Sequence, residues 1–288
     1  MKTSDVFTPN LPEMISWGEM ELNRNCIENY RKEVLWMVSN LLNLPLSKII
    51  CSPSIKISKQ KFTIFKNWIH RRINKEPFQK ITGHTEFYAL DFNVTPGVFI
   101  PRPETERLVD EVLNIASSFK QISILDVGTG TGCIGVTLAK MLPKSFVTCI
   151  DISRKAIKSA IDNAEFHNLK NIQFKRKNIM LDKLDQPFDI LVSNPPYIPK
   201  NELKSLMPEV LNHDPHKALT DNENGLVFYR YFAKNISSLV KKQGYMILET
   251  GNRKHPYKVL DLFKKNNIQS LLKNDYSNHP RVLIAQNE

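Results

Sequence analysis

Asn194-Pro195-Pro196-Tyr197 is the stretch whose residue types and spacing can most directly do chemistry. The Asn194 amide oxygen and the Pro195 carbonyl are both acceptors, and together they can hold a planar NH2 group by its two hydrogens. The nitrogen then presents its face to an electrophile, with the Tyr197 ring stacked on the plane behind it. Such an arrangement suits methylation of an amide-like or aryl-like nitrogen. The plain alternative is a strand ending in a proline-rich turn, which Pro and Asn favour in any case.

A second candidate runs from Asp126 through Gly128-Thr129-Gly130-Thr131-Gly132. Glycines permit a sharp turn and let the backbone pass close to a ligand. Asp151 closes the next apolar segment, where an acid is placed to accept hydrogen bonds from a ribose diol. Gly130, Gly132 and Gly135 formally meet the dinucleotide fingerprint, so a dinucleotide stays open on these residues alone. There is no Gly-x-x-x-x-Gly-Lys-[Ser/Thr] loop, and Asp151 favours free hydroxyls. The pair points to a nucleoside-type cofactor rather than a nucleotide triphosphate.

These residues need elements that bring them together. Asp189 to Ser193 reads as a buried strand that must stop at Asn194, because proline cannot donate to a sheet ladder. Ile122 to Val127 and Ser145 to Asp151 read as two further strands, each followed by a helix. Ser153 caps the helix carrying Ala156, Ile157, Ala160, Ile161 and Ala164. Ile172 to Phe174, Gly244 to Glu249 and Arg281 to Ile284 complete the strands. Strands and helices alternating in this order predict a doubly wound, mostly parallel sheet, with ligands at the carboxyl ends of its strands.

Ahead of it, residues 1 to about 80 are helical in pattern, with Ile27, Tyr30, Val34, Leu35, Val38, Leu41 and Leu42 on one face. Phe62, Phe65, Trp68, Ile69 and Ile73 repeat the spacing. Gly83 marks a change of period. Thr85 to Tyr88 and Asp91 to Val94 read as a hairpin, followed by the extended Phe99-Ile100-Pro101-Arg102-Pro103-Glu104-Thr105-Glu106. The expected organisation is a small helical bundle over 1–82, a hairpin linker over 83–103 and an alternating strand-and-helix domain over 104–288.

The chain has 288 residues, 41% of them hydrophobic, which suits a globular protein. No apolar run approaches the roughly 20 residues that span a bilayer, and the first residues lack a signal or transit design. Four cysteines, Cys26, Cys51, Cys133 and Cys149, form no metal-ligand spacing and read as reduced thiols. A cytoplasmic protein without metal is expected. The formal charge of +11 includes a dense stretch from Lys48 to Lys80. A partner face and a solvated surface are both open for it.

Taken together, Asp126-x-Gly128-x-Gly130-x-Gly132, Asp151 and Asn194-Pro195-Pro196-Tyr197 resemble the class I S-adenosylmethionine-dependent methyltransferases. The helical front, the Phe99 to Glu106 segment and Asp221-Asn222-Glu223-Asn224-Gly225-Leu226 make the chain similar to the PrmC/HemK family. That resemblance implies a Rossmann-like fold, S-adenosylmethionine as cofactor and methylation of the Gly-Gly-Gln glutamine of peptide chain release factors. It implies that Gly128, Thr129, Gly130, Thr131 and Gly132 line the methionine and ribose and that Asp151 holds the ribose hydroxyls. Asn178 and Ile179 would flank the adenine, in positions that usually carry an acid and often an aromatic residue. Asn194, Pro195, Pro196 and Tyr197 would hold the substrate amide, with Asn194 also beside the cofactor. A monomer without stable DNA or membrane binding is expected. A DNA or RNA adenine amino-methyltransferase is the alternative, because an exocyclic amine has the same geometry. No long base-reading insertion follows Tyr197. A non-catalytic, ribosome-associated module has only the basic stretch in its favour.

Overall fold

The computed structural model describes residues 9–288, so the reading of residues 1–8 lies outside it. The chain divides into two compact units, meeting at Gly83 and His84.

The first unit is helical: α1 (Leu11–Arg24), α2 (Tyr30–Leu42), α3 (Leu46–Cys51), α4 (Lys59–Ile73) and α5 (Phe78–Thr82). Asn10 and Glu13 form a reciprocal capping box at the start of α1, each side chain accepting the other's backbone N–H at 2.9 Å. Met14, Leu22, Val34, Met37, Phe65 and Ile69 build its buried core. Within the basic stretch, Arg71 donates to Glu76 at 2.7 and 2.6 Å. Arg72 donates to Glu33 of α2 at 2.6 Å and is itself buried. Those two arginines therefore hold this unit's own helices together.

The second unit opens with a hairpin, β1 (His84–Phe87) and β2 (Leu90–Asn93). Phe87 and Phe92 are buried in the main core of this unit, edge to face at 6.2 Å. Asn163, from a helix of the same unit, takes the Asn93 N–H at 2.8 Å and donates to the Asn93 carbonyl at 3.1 Å.

A single 3-10 turn over Pro103–Thr105 leads to α6 (Glu106–Ala116). Then follow β3 (Ser123–Val127), α7 (Cys133–Met141), β4 (Phe146–Asp151), α8 (Arg154–Phe166), β5 (Ile172–Arg176) and β6 (Phe188–Ser193). After short helices α9 (Pro208–His213) and α10 (His216–Leu219) come α11 (Val227–Leu239), β7 (Val240–Glu249), α12 (His255–Lys265), β8 (Ser270–Asn274) and β9 (Pro280–Gln286).

The seven strands lie in the order β5-β4-β3-β6-β7-β9-β8. The first five are parallel, while β9 runs antiparallel to both neighbours. The pleat sorts the core. Ile124, Ile190, Val192 and Ile247 join the side covered by α6 and α7, and Leu125, Leu191, Met246 and Leu248 join the side covered by α11 and α12. Each such fully buried aliphatic side chain contributes about 1.5–3 kcal/mol. This is the doubly wound, mostly parallel sheet expected of a Rossmann-like fold. The strand order reverses between β3 and β6, which opens a crevice at their carboxyl ends. Among the described residues, no helix is long and apolar enough to cross a membrane.

Candidate active site

Strand register puts the sequence candidates on one level. Val127 lies opposite Ile150 on one side and Ser193 on the other, so Gly128, Asp151 and Asn194 all emerge together at the ends of β3, β4 and β6. The Gly128 and Thr129 N–H groups both donate to the Ile150 carbonyl, at 2.9 and 3.1 Å, folding the turn over β4. Gly132 has φ +85°, and a Cβ there would come within 2.9 Å of the Ala160 Cβ, so the turn packs on α8 only as glycine. A Cβ on Gly128 would instead meet nothing within 4 Å. That side of the turn faces open space. Asn163 also donates to the Thr131 carbonyl at 2.9 Å, linking the turn to the hairpin.

The two acids of the motif differ. Asp126 is fully buried and accepts from the Thr129 hydroxyl at 2.6 Å and the Gly135 N–H at 3.1 Å through one oxygen. Its other oxygen has no partner, and burial pushes the carboxyl up to about 7. Asp126 therefore shapes the turn from inside. Asp151 is only half-buried, and its oxygens accept the Gly130 N–H at 3.1 Å and the Ser153 N–H at 2.8 Å. Burial raises its pKa, against the pull of those amides. Each carboxylate oxygen retains capacity for a further hydrogen bond, which suits a vicinal diol.

Past β5, the Asn178 side-chain oxygen accepts the Met180 N–H at 3.0 Å, and its own N–H donates to Asp182 at 2.8 Å. Asn178 is half-buried. Ile179 is buried in the same apolar cluster as Val127 and Ile150. An open glycine face, an acid with spare acceptor capacity and an apolar bed below them fit a nucleoside-bearing cofactor.

On the β6 side, the Ser193 hydroxyl donates to the Val127 carbonyl at 2.7 Å and ties the strand end to β3. The Asn194 side-chain NH2 donates to the Thr105 hydroxyl at 3.2 Å. This orients the amide, and neither its oxygen nor the Pro195 carbonyl accepts a hydrogen bond from any described residue. Two unengaged acceptors thus stand beside the glycine turn. Pro196 and Tyr197 are half-buried, and the Tyr197 ring lies 5.9 Å from that of His255. Burial and the nearby Glu249 push the Tyr197 hydroxyl up.

Thr105 escapes sequence reasoning, while Glu249 reads from the sequence as a salt-bridging or capping residue at a strand end. Thr105, in the proline-rich approach to α6, orients Asn194. Glu249 ends β7 beside β6 and is buried, with one carboxylate oxygen unpartnered. Burial pushes it up to about 7, opposed by the Thr105 hydroxyl, Arg281 and the Tyr197 hydroxyl. For Thr105 the only signal was its place between two glutamates after Pro103. Among the described residues no group of His, Cys, Asp or Glu side chains is arranged to hold a metal ion.

The chain is similar to known methyltransferases. Residues 118–284 match the family described as methyltransferase domain, and residues 13–83 match the PrmC N-terminal domain. The release factor glutamine methyltransferase of Fusobacterium nucleatum is 37% identical, covering 92% of this chain and 75% of that protein. Those of Geobacter sulfurreducens and Flavobacterium psychrophilum are each 36% identical. Their matches cover 83% and 82% of this chain, and 83% and 84% of the relatives. With such identity over most of both partners, the chain belongs to the release factor glutamine methyltransferases.

Proposed function

We infer that this protein transfers a methyl group to the side-chain amide nitrogen of the Gly-Gly-Gln glutamine in a peptide chain release factor. The observation that carries this reading is the pair of unengaged acceptors, Asn194 Oδ1 and the Pro195 carbonyl, next to an open glycine turn. S-adenosylmethionine, when bound, supplies an electrophilic methyl group on a sulfonium. Asp151 would hold its ribose hydroxyls, and Gly128 to Gly132 would run beside its methionine portion. Asn178 and Ile179 would border the adenine.

The chain's own residues then act on the acceptor. An amide nitrogen is a weak nucleophile because its lone pair is delocalised into the carbonyl. Asn194 and Pro195 draw the two N–H hydrogens toward themselves and favour a pyramidal nitrogen, with Tyr197 behind its plane. Orientation of this kind contributes up to about 7–11 kcal/mol. Acceptors fixed before charge develops on the nitrogen add to it. No general base is required, since the proton becomes acidic only once the nitrogen carries its fourth bond. The protein acts in the cytoplasm as a monomer, with the helical unit of residues 1–82 recognising the substrate.

The test is transfer of a labelled methyl group to a release factor, to its Gln→Ala variant and to duplex DNA. Labelling of the intact factor alone is expected. Labelling of DNA, or equal labelling of the Gln→Ala variant, would overturn the assignment.

A further inference from the structure

Behind Tyr197 stands a side chain that neither the glycine turn nor the acceptor pair accounts for. His255, at the start of α12, uses both ring nitrogens on backbone groups of two different segments. Its Nδ1 accepts the Gly251 N–H at 3.0 Å, which leaves the proton on Nε2 to be donated to the Gly225 carbonyl at 2.9 Å. The two segments it joins both press on Tyr197. Gly225 has φ +78°, and a Cβ there would overlap the Tyr197 carbonyl oxygen. A Cβ on Gly251 would stand 3.0 Å from the Tyr197 ring. The His255 ring itself faces Tyr197 and meets Tyr229 edge-on at 5.2 Å.

We propose that His255, as the neutral Nε2–H tautomer, is the positioning residue that fixes Tyr197 and with it the Asn194–Tyr197 turn. The proposal rests on the methyl-transfer reading above and deepens it. An imidazole that bridges two segments from inside their junction holds both at one separation, and the tyrosine wedged between them has one place to sit. A protonated ring presents a donor at Nδ1 to the Gly251 N–H, donor against donor, and the clamp opens. The groups facing the ring are Lys258 on its own helix, Asp221 and Glu202 from the segment before α11, and the Tyr197 and Tyr229 rings. Burial, with help from Lys258, lowers its pKa below the ordinary 6.5, so the neutral form persists through neutral pH. Turnover should then fall as the pH drops through that lowered value.

The experiment compares the full-length protein with its His255→Phe and His255→Gln variants. Phenylalanine keeps a ring but loses both hydrogen bonds, while glutamine retains a donor able to reach the Gly225 carbonyl. Expected for His255→Phe is a loss in kcat of about tenfold, the size of two lost hydrogen bonds. Its KM for S-adenosylmethionine should stay within about twofold of wild type, a change of well under 1 kcal/mol. His255→Gln should recover part of the kcat and lose the acidic limb of the pH profile. Wild-type kcat in His255→Phe, or a loss confined to cofactor affinity, would overturn the proposal. If the phenylalanine variant does not fold, the glutamine variant decides by the same split. Nitrogen-15 NMR of the imidazole reads the tautomer without any turnover, and an Nδ1–H tautomer or an imidazolium at pH 7 would also overturn it. Inactivity of the wild-type protein toward a release factor would sink the substrate assignment, while the NMR result still judges the clamp.

Discussion

On the β4 side of the crevice Asp151 is held by backbone amides alone, whereas on the β6 side Asn194 is held by another side chain, Thr105, 89 residues away in sequence. The first arrangement is local and depends on how the chain turns, so the chemical identity of the holders hardly matters. The second depends on a hydroxyl standing at Thr105. The β4 half of the crevice is therefore fixed by conformation, and the β6 half by composition.

Substitutions can break this contrast at several strengths. Asn194→Ala should lower kcat by about 10²–10³-fold, the usual cost of removing one preorganised polar group at a reacting centre. Cofactor affinity measured by calorimetry should stay near wild type, and a parallel loss of affinity would erase the distinction between the two halves. Asp151→Ala is its mirror image. It should weaken S-adenosylmethionine binding by about 10–100-fold, as expected for hydrogen bonds to a charged group, with less effect on the saturated rate. Thr105→Val should lower kcat by about 3–10-fold, the worth of one neutral hydrogen bond, and Thr105→Ser should restore it. Equal rates for the valine and serine variants would show that Asn194 needs no tether.

The smallest effect concerns stability. Burial lifts Glu249 from its ordinary 4.5 to about 7, so between those values the folded protein keeps a proton that the unfolded chain has released. Its contribution is therefore lost as pH rises from about 4.5 to about 7. Glu249→Gln should gain thermal midpoint relative to wild type across that window, and a constant difference between the two would refute it.

Much of the β4 half was legible because it is continuous in sequence. An apolar run, a glycine turn and an acid at the end of the next run fall within a short stretch, and the register of β3 on β4 follows from it. The strand before Asn194 was legible for the same reason, being buried on both faces. Other elements carry weaker marks. The turn of the hairpin is made by Tyr88 and Ala89 at φ +53° and +56°, positions where Gly or Asn is the usual signal. Leu271 of β8 is exposed and Lys273 polar, so an edge strand of this kind shows no clean alternation. The short helices α9 and α10 start after Met207 and Pro215 and have too few turns for a period to emerge. Thr105 reaches Asn194 only through the packing of distant segments, which spacing along a chain does not encode.

The order of strands also has a consequence for biogenesis. β9 is made after β8 yet sits between β8 and β7. During synthesis the β7 flank of the sheet therefore keeps a bare ladder until Pro280 to Gln286 has been delivered. Until then that exposed edge can pair with other chains.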